Sequence, residues 1–349
     1  MSDYTGNPAE TAGPGFRSIG FHGRAGEYFG IWISNLFLSI VTVGIYSAWA
    51  KVRRIKYFYN NTKIDGFPFS YHATGKQILI GRLVAFAVMI AYSALTTFFP
   101  LTAIPISIAF VFALPWLINR SLRFAARMTS WRNVRLDWHG TYAKSFLFFL
   151  VCPFVAVLSL GTLVPLIARY YYRYFAESHA FGTTRFRADA TISQYYKGFL
   201  AATFAPVVAA AGVALLLVAL GVASGGGAWS LLHFLIFPVA AFLFMFQTMY
   251  QAICRNILLR SLRLGETVRF DSRISPLRFL WISVSNAAVT LASLGLLLPW
   301  AMIRRYRYLA EHTGVSLSAA SQEFLDAETR AVGSFGQEFM DLEGIEFGI

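Results

Sequence analysis

Five long runs without charge are the feature that most constrains the fold of this chain. No Asp, Glu, Lys or Arg occurs in the segments 28–50, 83–119, 145–168, 198–254 and 279–303. One membrane-spanning helix needs about 20 apolar residues, so three of the runs are one span long and the second and fourth are long enough for two. Barrel strands alternate polar and apolar residues, and these runs do not. The pattern predicts an α-helical multipass membrane protein.

Composition agrees with this class. Of the 349 residues, 56% are hydrophobic and only 13% are charged, whereas soluble domains carry roughly 25% charged residues. The 33 Phe, 17 Tyr and 8 Trp are typical of helices with aromatic belts at the membrane interface. Cys152 and Cys254 lie in or beside apolar runs, so we expect buried thiols rather than a disulfide.

Turn signals divide the two longest runs. Pro100 and the run GVASGGGAWS at 221–230 favour turns. We therefore expect two helical hairpins, at 83–99/101–119 and at 199–220/231–253. Residues 1–27 have no apolar core, so they do not predict a cleavable signal peptide.

A ladder of basic and aromatic residues follows each of the three shorter runs. The ladders read TVGIYSAWAKVRRIKYFYNNT (42–62), SLGTLVPLIARYYYRYFAESH (159–179) and SLGLLLPWAMIRRYRYLAEHT (293–313). When Gly44, Gly161 and Gly295 are aligned, a basic residue follows twelve positions later and a tyrosine thirteen positions later. Agreement of several columns in one register predicts tandem internal repeats, two full and one partial.

The repeat pattern gives a predicted domain organisation. The expected segments are a polar N-terminal tail at 1–20, repeats at 21–119 and 120–254, a partial repeat at 255–313 and an acidic tail at 314–349. Four stretches alternate apolar and polar residues and predict a small β-layer at the membrane surface: 66–73, 134–138, 183–190 and 268–272. For the tail we expect a solvated segment, with docking onto the basic ladders as the alternative.

The distribution of basic residues bears on topology. All 30 Lys and Arg lie outside the five runs and their two predicted turns. If every run spanned, seven helices would leave 17 of these residues on one side and 13 on the other. If the three shorter runs are re-entrant, only four helices span, and all 30 lie on one side. Positive charge marks the cytoplasmic side, which favours the re-entrant arrangement, although each run is long enough for a straight span.

The ladders are predicted to contact anionic phospholipid head groups, because Arg and Lys reach lipid phosphates while Tyr and Trp lie at the head-group level. The residues assigned to this interface are Trp49, Lys51, Arg53, Arg54, Lys56, Tyr57, Arg169, Arg173, Tyr174, Trp300, Arg304, Arg305, Arg307 and Tyr308. The net charge of +13 is expected from topology, because positive charge marks the cytoplasmic side of a membrane protein. A nucleic-acid partner is not expected, because no segment is long enough to form a separate basic domain.

Two further sets of residues stand out inside the apolar runs. Each ladder begins with a Ser/Thr-x-Gly step that permits either a helix break or close helix packing: Thr42 and Gly44, Ser159 and Gly161, Ser293 and Gly295. Two amides, Asn35 and Asn286, predict either an interhelical hydrogen bond or a polar cavity lining.

Signatures of catalysis are missing. The six histidines are scattered, and the sequence contains no HExxH, CxxC, nucleophile elbow or phosphate-binding glycine loop. We therefore expect neither an enzyme nor a metal or organic cofactor. The absence of Asp and Glu from the apolar runs argues against an ion-coupled transporter.

The first ladder and its flanks resemble the YjgN-like family of bacterial inner-membrane proteins, whose function is unknown. The matching stretches are FHGRAGEYFGIWISN (21–35), the ladder 42–62 and GFPFSYHATGKQILIGR (66–82). The resemblance implies a multipass protein of the bacterial inner membrane and supplies no activity. With the charge distribution, it leads us to expect the basic loops and the C-terminus in the cytoplasm.

Three functions fit these expectations. The chain binds or moves a lipid-like or amphiphilic molecule between repeats, it serves as a scaffold or accessory subunit for a membrane partner, or it forms an uncoupled channel for a small solute. The first predicts an apolar cavity with basic residues at its mouth. The second predicts filled interfaces between repeats, and the third needs a continuous polar path.

Overall fold

A computed structural model describes residues 16–223 and 228–330. Its helices are α1 Ala25–Val41, α2 Ser47–Asn60, α3 Gly75–Phe98, α4 Ala103–Arg127, α5 Tyr142–Phe146, α6 Cys152–Leu158, α7 Val164–Glu177, α8 Ile192–Ala223, α9 Ala228–Ser261, α10 Pro276–Ala292, α11 Leu298–Glu311 and α12 at 319–330. A π-helical turn, Leu147–Val151, joins α5 to α6. The strands are β1 Arg17–Ser18, β2 Gly20–Phe21, β3 Thr62–Ile64, β4 Phe67–Tyr71, β5 Thr129–Trp131, β6 Val134–Trp138, β7 His179–Phe181, β8 Thr184–Ala188, β9 Leu262–Leu264, β10 Val268–Ser272 and β11 Thr313–Ser316.

Two long helical hairpins, α3–α4 and α8–α9, confirm the prediction for the longest runs. All four helices are long and apolar enough to cross a membrane. A capping box between Thr74 and Gln77 fixes the start of α3, and a short 3₁₀ turn at Pro100–Thr102 separates α3 from α4. Both ends of the predicted turn at 221–230 are helical, and residues 224–227 lie outside the described part of the chain.

Each of the three shorter runs forms a helical hairpin of its own: α1–α2, α5–α6 with α7, and α10–α11. We call these hairpins A, B and C. At each turn a large apolar residue and the glycine after it both have positive φ, with values of 49° and 88° in A, 49° and 83° in B, and 50° and 89° in C. The glycine N–H donates to the carbonyl five residues earlier, as in a Schellman helix end. The chain therefore reverses at Gly44, Gly161 and Gly295.

All eleven strands belong to one antiparallel sheet that nearly closes into a ring. Its order is β1-β11-β10-β9-β8-β7-β6-β5-β4-β3-β2, and only Ile19 separates β1 from β2. Each β-hairpin joins a helix that runs toward the ring to one that leaves it, so the helices project from one end and the β-turns lie at the other. The four predicted stretches form β4, β6, β8 and β10, while the sequence did not predict the remaining strands.

The ring has an apolar interior, and α12 covers its β-turn end. Leu325 of α12 is buried with Trp131, Val134 and Phe181 in the ring core. The predicted boundary at 313/314 falls inside β11, and the described part of the acidic tail, residues 314–330, packs on the ring rather than extending into solvent.

Polar contacts fix α12 on the β-turns and not on the ladders. The buried carboxylate of Glu328 accepts hydrogen bonds from the Thr183 N–H at 3.0 Å and from the hydroxyls of Thr183 and Thr184. Arg132 pairs with Asp326 at 2.6 Å. A charged group is seldom buried without such partners, so these bonds define where α12 docks.

Candidate functional site

The tyrosine that recurs in every ladder fixes the base of its own hairpin. Its hydroxyl bonds the main chain of the residue 33 positions earlier, where the first helix begins. The pairs are Tyr57 Oη with Arg24 N at 2.8 Å, Tyr174 Oη with Thr141 O at 3.4 Å and Tyr308 Oη with Ser275 N at 3.0 Å. Tyr174 and Tyr308 are buried. The structure therefore places these tyrosines inside the hairpins.

The two amides of the apolar runs, Asn35 and Asn286, bond across hairpins A and C. Asn35 Oδ1 accepts from Arg53 Nη1 and Asn286 Oδ1 accepts from Arg304 Nη1, both at 3.1 Å. Asn286 Nδ2 also donates to Ala301 O at 2.9 Å. Of the two predicted roles, this geometry matches the interhelical hydrogen bond. Asn286 also lines the cleft described below.

Other ladder cations are held by partners within the protein. Arg169 donates to Ala190 O at 3.3 Å, Arg173 pairs with Glu177 at 2.8 Å, and Arg307 donates to Gly23 O at 2.9 Å. Arg169 and Arg307 thus join their ladders to neighbouring loops, whereas Arg173 pairs within its own helix. All three side chains are less free for lipid phosphates.

The remaining members of the predicted interface are more open. Lys51, Arg54 and Lys56 are exposed along α2 and make no hydrogen bond or ion pair within the described residues. Trp300 stacks under Arg304, with 5.2 Å from the guanidinium carbon to the ring centre. Trp49 packs on Gly75, where a Cβ would lie 2.4 Å from the indole.

A cleft of about 640 Å³ opens between α9 and hairpin C. Its lining residues are Leu243, Phe244, Phe246, Gln247, Thr248, Gln251, Ser283, Asn286, Ala287 and Arg305. Along α9 the lining changes from apolar to polar in the direction of the ring. A cleft with one apolar end and one polar end fits an amphiphile rather than a freely soluble solute.

Arg305 supplies the positive charge of the cleft. Its guanidinium lies over the Phe279 ring at 5.1 Å, and no carboxylate or hydrogen-bond acceptor pairs with it among residues 16–223 and 228–330. The neighbouring Arg304 is bound to Ser285 and Asn286 at 2.7 and 3.1 Å. Of these two adjacent cations, only Arg305 is therefore available to an anion in the cleft.

The sequence predicted Arg305 and Asn286 but missed the other polar residues of the cleft. Gln247 and Gln251 are four residues apart on α9, so they share one helix face inside an otherwise apolar run. That spacing is the signal that could have identified them. Within the described part of the chain, no group of three His, Cys, Asp or Glu side chains could hold a metal ion.

Four apolar membrane-length helices, three short hairpins and a nearly closed sheet define a helical integral membrane protein with a β-ring. Residues 17–342 match DUF898, described as bacterial protein of unknown function, and the chain belongs to this family.

The relatives of this chain include two proteins named inner membrane protein YjgN. The Salmonella typhimurium protein is 24% identical, with 88% of this chain and 90% of the relative aligned. The Escherichia coli O157:H7 protein is 30% identical over 42% of this chain and 37% of its own length. No solved structure matches the chain.

Proposed function

We propose that this protein is a non-enzymatic inner-membrane protein that binds an anionic lipid-like molecule in the cleft between α9 and hairpin C. The unpaired Arg305 beside an apolar wall is the observation that carries the proposal. A lipid phosphate would accept a charge-assisted hydrogen bond from Arg305, and an acyl chain would lie along Leu243, Phe244 and Phe246.

The proposal includes an orientation in the membrane. The β-ring and all the basic loops face the cytoplasm, and only the two long hairpins span. Lys51, Arg54 and Lys56 then lie near the anionic inner leaflet, where each charge near the surface contributes about 1 kcal/mol. These exposed residues would attract anionic lipid generally, while Arg305 holds one molecule in the cleft.

Replacing Arg305 with glutamine should reduce the amount of phosphatidylglycerol that stays bound to the purified protein by roughly tenfold. A hydrogen bond to a charged group contributes about 1.5–3 kcal/mol, and the substitution removes the charge without emptying the cleft. Native mass spectrometry of gently extracted protein measures the bound fraction.

Arg54→Gln is the matched control, because Arg54 follows Gly44 by ten residues, as Arg305 follows Gly295, and does not line the cleft. Ala287→Phe, which narrows the cleft, should also reduce retention. Equal retention by folded Arg305→Gln and wild-type protein would refute the proposed site. Equal losses of bound phosphatidylglycerol in the Arg54 and Arg305 variants would show that Arg305 contributes only general electrostatic attraction at the surface.

A further inference from the structure

The tips of hairpins A, B and C are apolar and almost fully exposed. Val43, Leu160 and Leu294 stand at the three turns with 92, 93 and 94% of their surface accessible. Each has positive φ, which large apolar residues seldom adopt. Such side chains at a protruding turn suit insertion into a lipid leaflet.

Two contacts show how far these tips reach beside the long helices. In hairpin A, Ser47 accepts a hydrogen bond from Arg82, and α3 continues for sixteen residues beyond Arg82, about 24 Å at 1.5 Å per residue. In hairpin B, Thr162 O accepts from Tyr196 Oη at 3.1 Å, near the start of α8. Both tips therefore end far short of the opposite ends of the long helices.

Charge limits the insertion depth of all three hairpins. The second helix of each hairpin leads from the tip toward the ring, and its first basic residue is Lys51 in A, Arg169 in B and Arg304 in C. These residues lie four to six positions after the first residue of the helix, or about 6–9 Å along its axis. Charged groups stay near the interface, and the hydrocarbon core is about 30 Å thick. The tips are therefore confined to one leaflet.

From this asymmetry we propose that the protein is a membrane wedge that senses and favours curvature. Four helices cross both leaflets, whereas the outer parts of hairpins A, B and C add six helical segments to the leaflet on the ring side only. At a diameter of about 10–12 Å, each helix occupies roughly 100 Å² of a leaflet. The leaflet on the ring side is therefore expanded and becomes convex. This inference rests on the four-span orientation proposed above and not on the cleft.

In the cell, the leaflet on the ring side faces the cytoplasm under the proposed orientation. That leaflet is convex only where the inner membrane folds inward. The expected ligand of the three tips is thus the lipid surface itself, in regions where its packing is loosened by curvature.

Single-vesicle fluorescence of reconstituted protein tests the wedge. Among molecules whose ring faces outward, the density of protein in vesicles of about 50 nm should exceed that in vesicles of about 400 nm by at least about twofold. The triple variant Val43→Asn, Leu160→Asn, Leu294→Asn should lose this preference. Asparagine tolerates positive φ, so the turns are kept while their apolar surface is removed.

Leu101→Asn is the control, because Leu101 is equally exposed at 93% but lies at the far end of the α3–α4 hairpin. The density of the Leu101→Asn variant should depend on vesicle size in the same way as that of the wild type. Equal densities of the wild-type protein in small and large vesicles would overturn the proposed wedge. So would a triple variant that keeps the wild-type preference for small vesicles. Retention of phosphatidylglycerol, measured on the same samples, reports separately on the cleft.

Discussion

Replacement of Trp138 by alanine is expected to lower the free energy of unfolding by about 3–5 kcal/mol. Trp138 is completely buried at the end of β6. Its ring packs against Tyr174, Phe175 and His179, with centroid distances of 5.8, 5.4 and 4.8 Å. Its Nε1–H donates to Asn119 Oδ1 of α4 at 2.9 Å. One side chain thus joins a long helix, the ring and a ladder helix.

The His179 imidazole belongs to the same cluster of rings. Burial lowers the pKa of this imidazole, and the hydrogen bond to the Phe175 carbonyl only partly opposes the effect. The neutral ring therefore packs on Trp138 at neutral pH.

Thermal and denaturant unfolding in detergent measure the Trp138→Ala effect. Trp138→Phe keeps most of the packing but leaves the Asn119 oxygen without its donor, so a smaller loss of about 1–3 kcal/mol is expected. Trp116→Ala serves as the control, because Trp116 is exposed on α4 and its removal should change stability by less than about 1 kcal/mol. Equal effects of the Trp138 and Trp116 substitutions would show that the cluster does not hold the ring to the helices.

The triple substitution Gly44→Ala, Gly161→Ala, Gly295→Ala should cost roughly 3–6 kcal/mol, because a Cβ at a left-handed position costs about 1–2 kcal/mol. Each glycine has φ between 83° and 89°. Apart from the glycine itself and its neighbours in the chain, no heavy atom lies within 4 Å of the added Cβ at any of the three positions. The penalty therefore comes from backbone conformation and not from crowding.

Two comparisons separate these causes in the same unfolding experiment. Leucine at the three positions should cost about as much as alanine, whereas tightly packed glycines would make leucine far worse. Gly81→Ala is the control, since Gly81 lies inside α3 in open space and should be neutral or stabilising by up to about 1 kcal/mol. A triple alanine variant with wild-type stability would contradict the turn geometry.

The sequence predicted the helical parts well because their signals are long or local. Uncharged runs and Pro100 located the long hairpins, and the Ser/Thr-x-Gly steps coincide with the turns at Gly44, Gly161 and Gly295. Periodicity could not predict the complete ring, since its strands have only two to five residues, and its closure depends on the pairing of β1 with β11, far apart in the chain.

The site was harder to predict because its residues come from distant segments. Gln251 and Arg305 line one cleft only because α9 and hairpin C pack together. Tyr174 and Tyr308 resemble interface residues in sequence, yet their hydroxyls bond the main chain inside the hairpins. In the tail, Phe324, Leu325 and Glu328 share one helix face and contact the ring. The acidic composition of the tail predicted a solvated segment and hid this apolar face.

Cysteine labelling in intact cells tests most directly the claim that the whole ring lies on one side of the membrane. With Cys152 and Cys254 replaced, single cysteines at Lys63, Arg187 and Arg273 should resist an impermeant thiol reagent until the cells are permeabilised. A cysteine at Leu101, at the far end of the α3–α4 hairpin, should react at once. Labelling at Arg187 and Arg273 but not at Lys63 would contradict the four-span account and support seven straight spans.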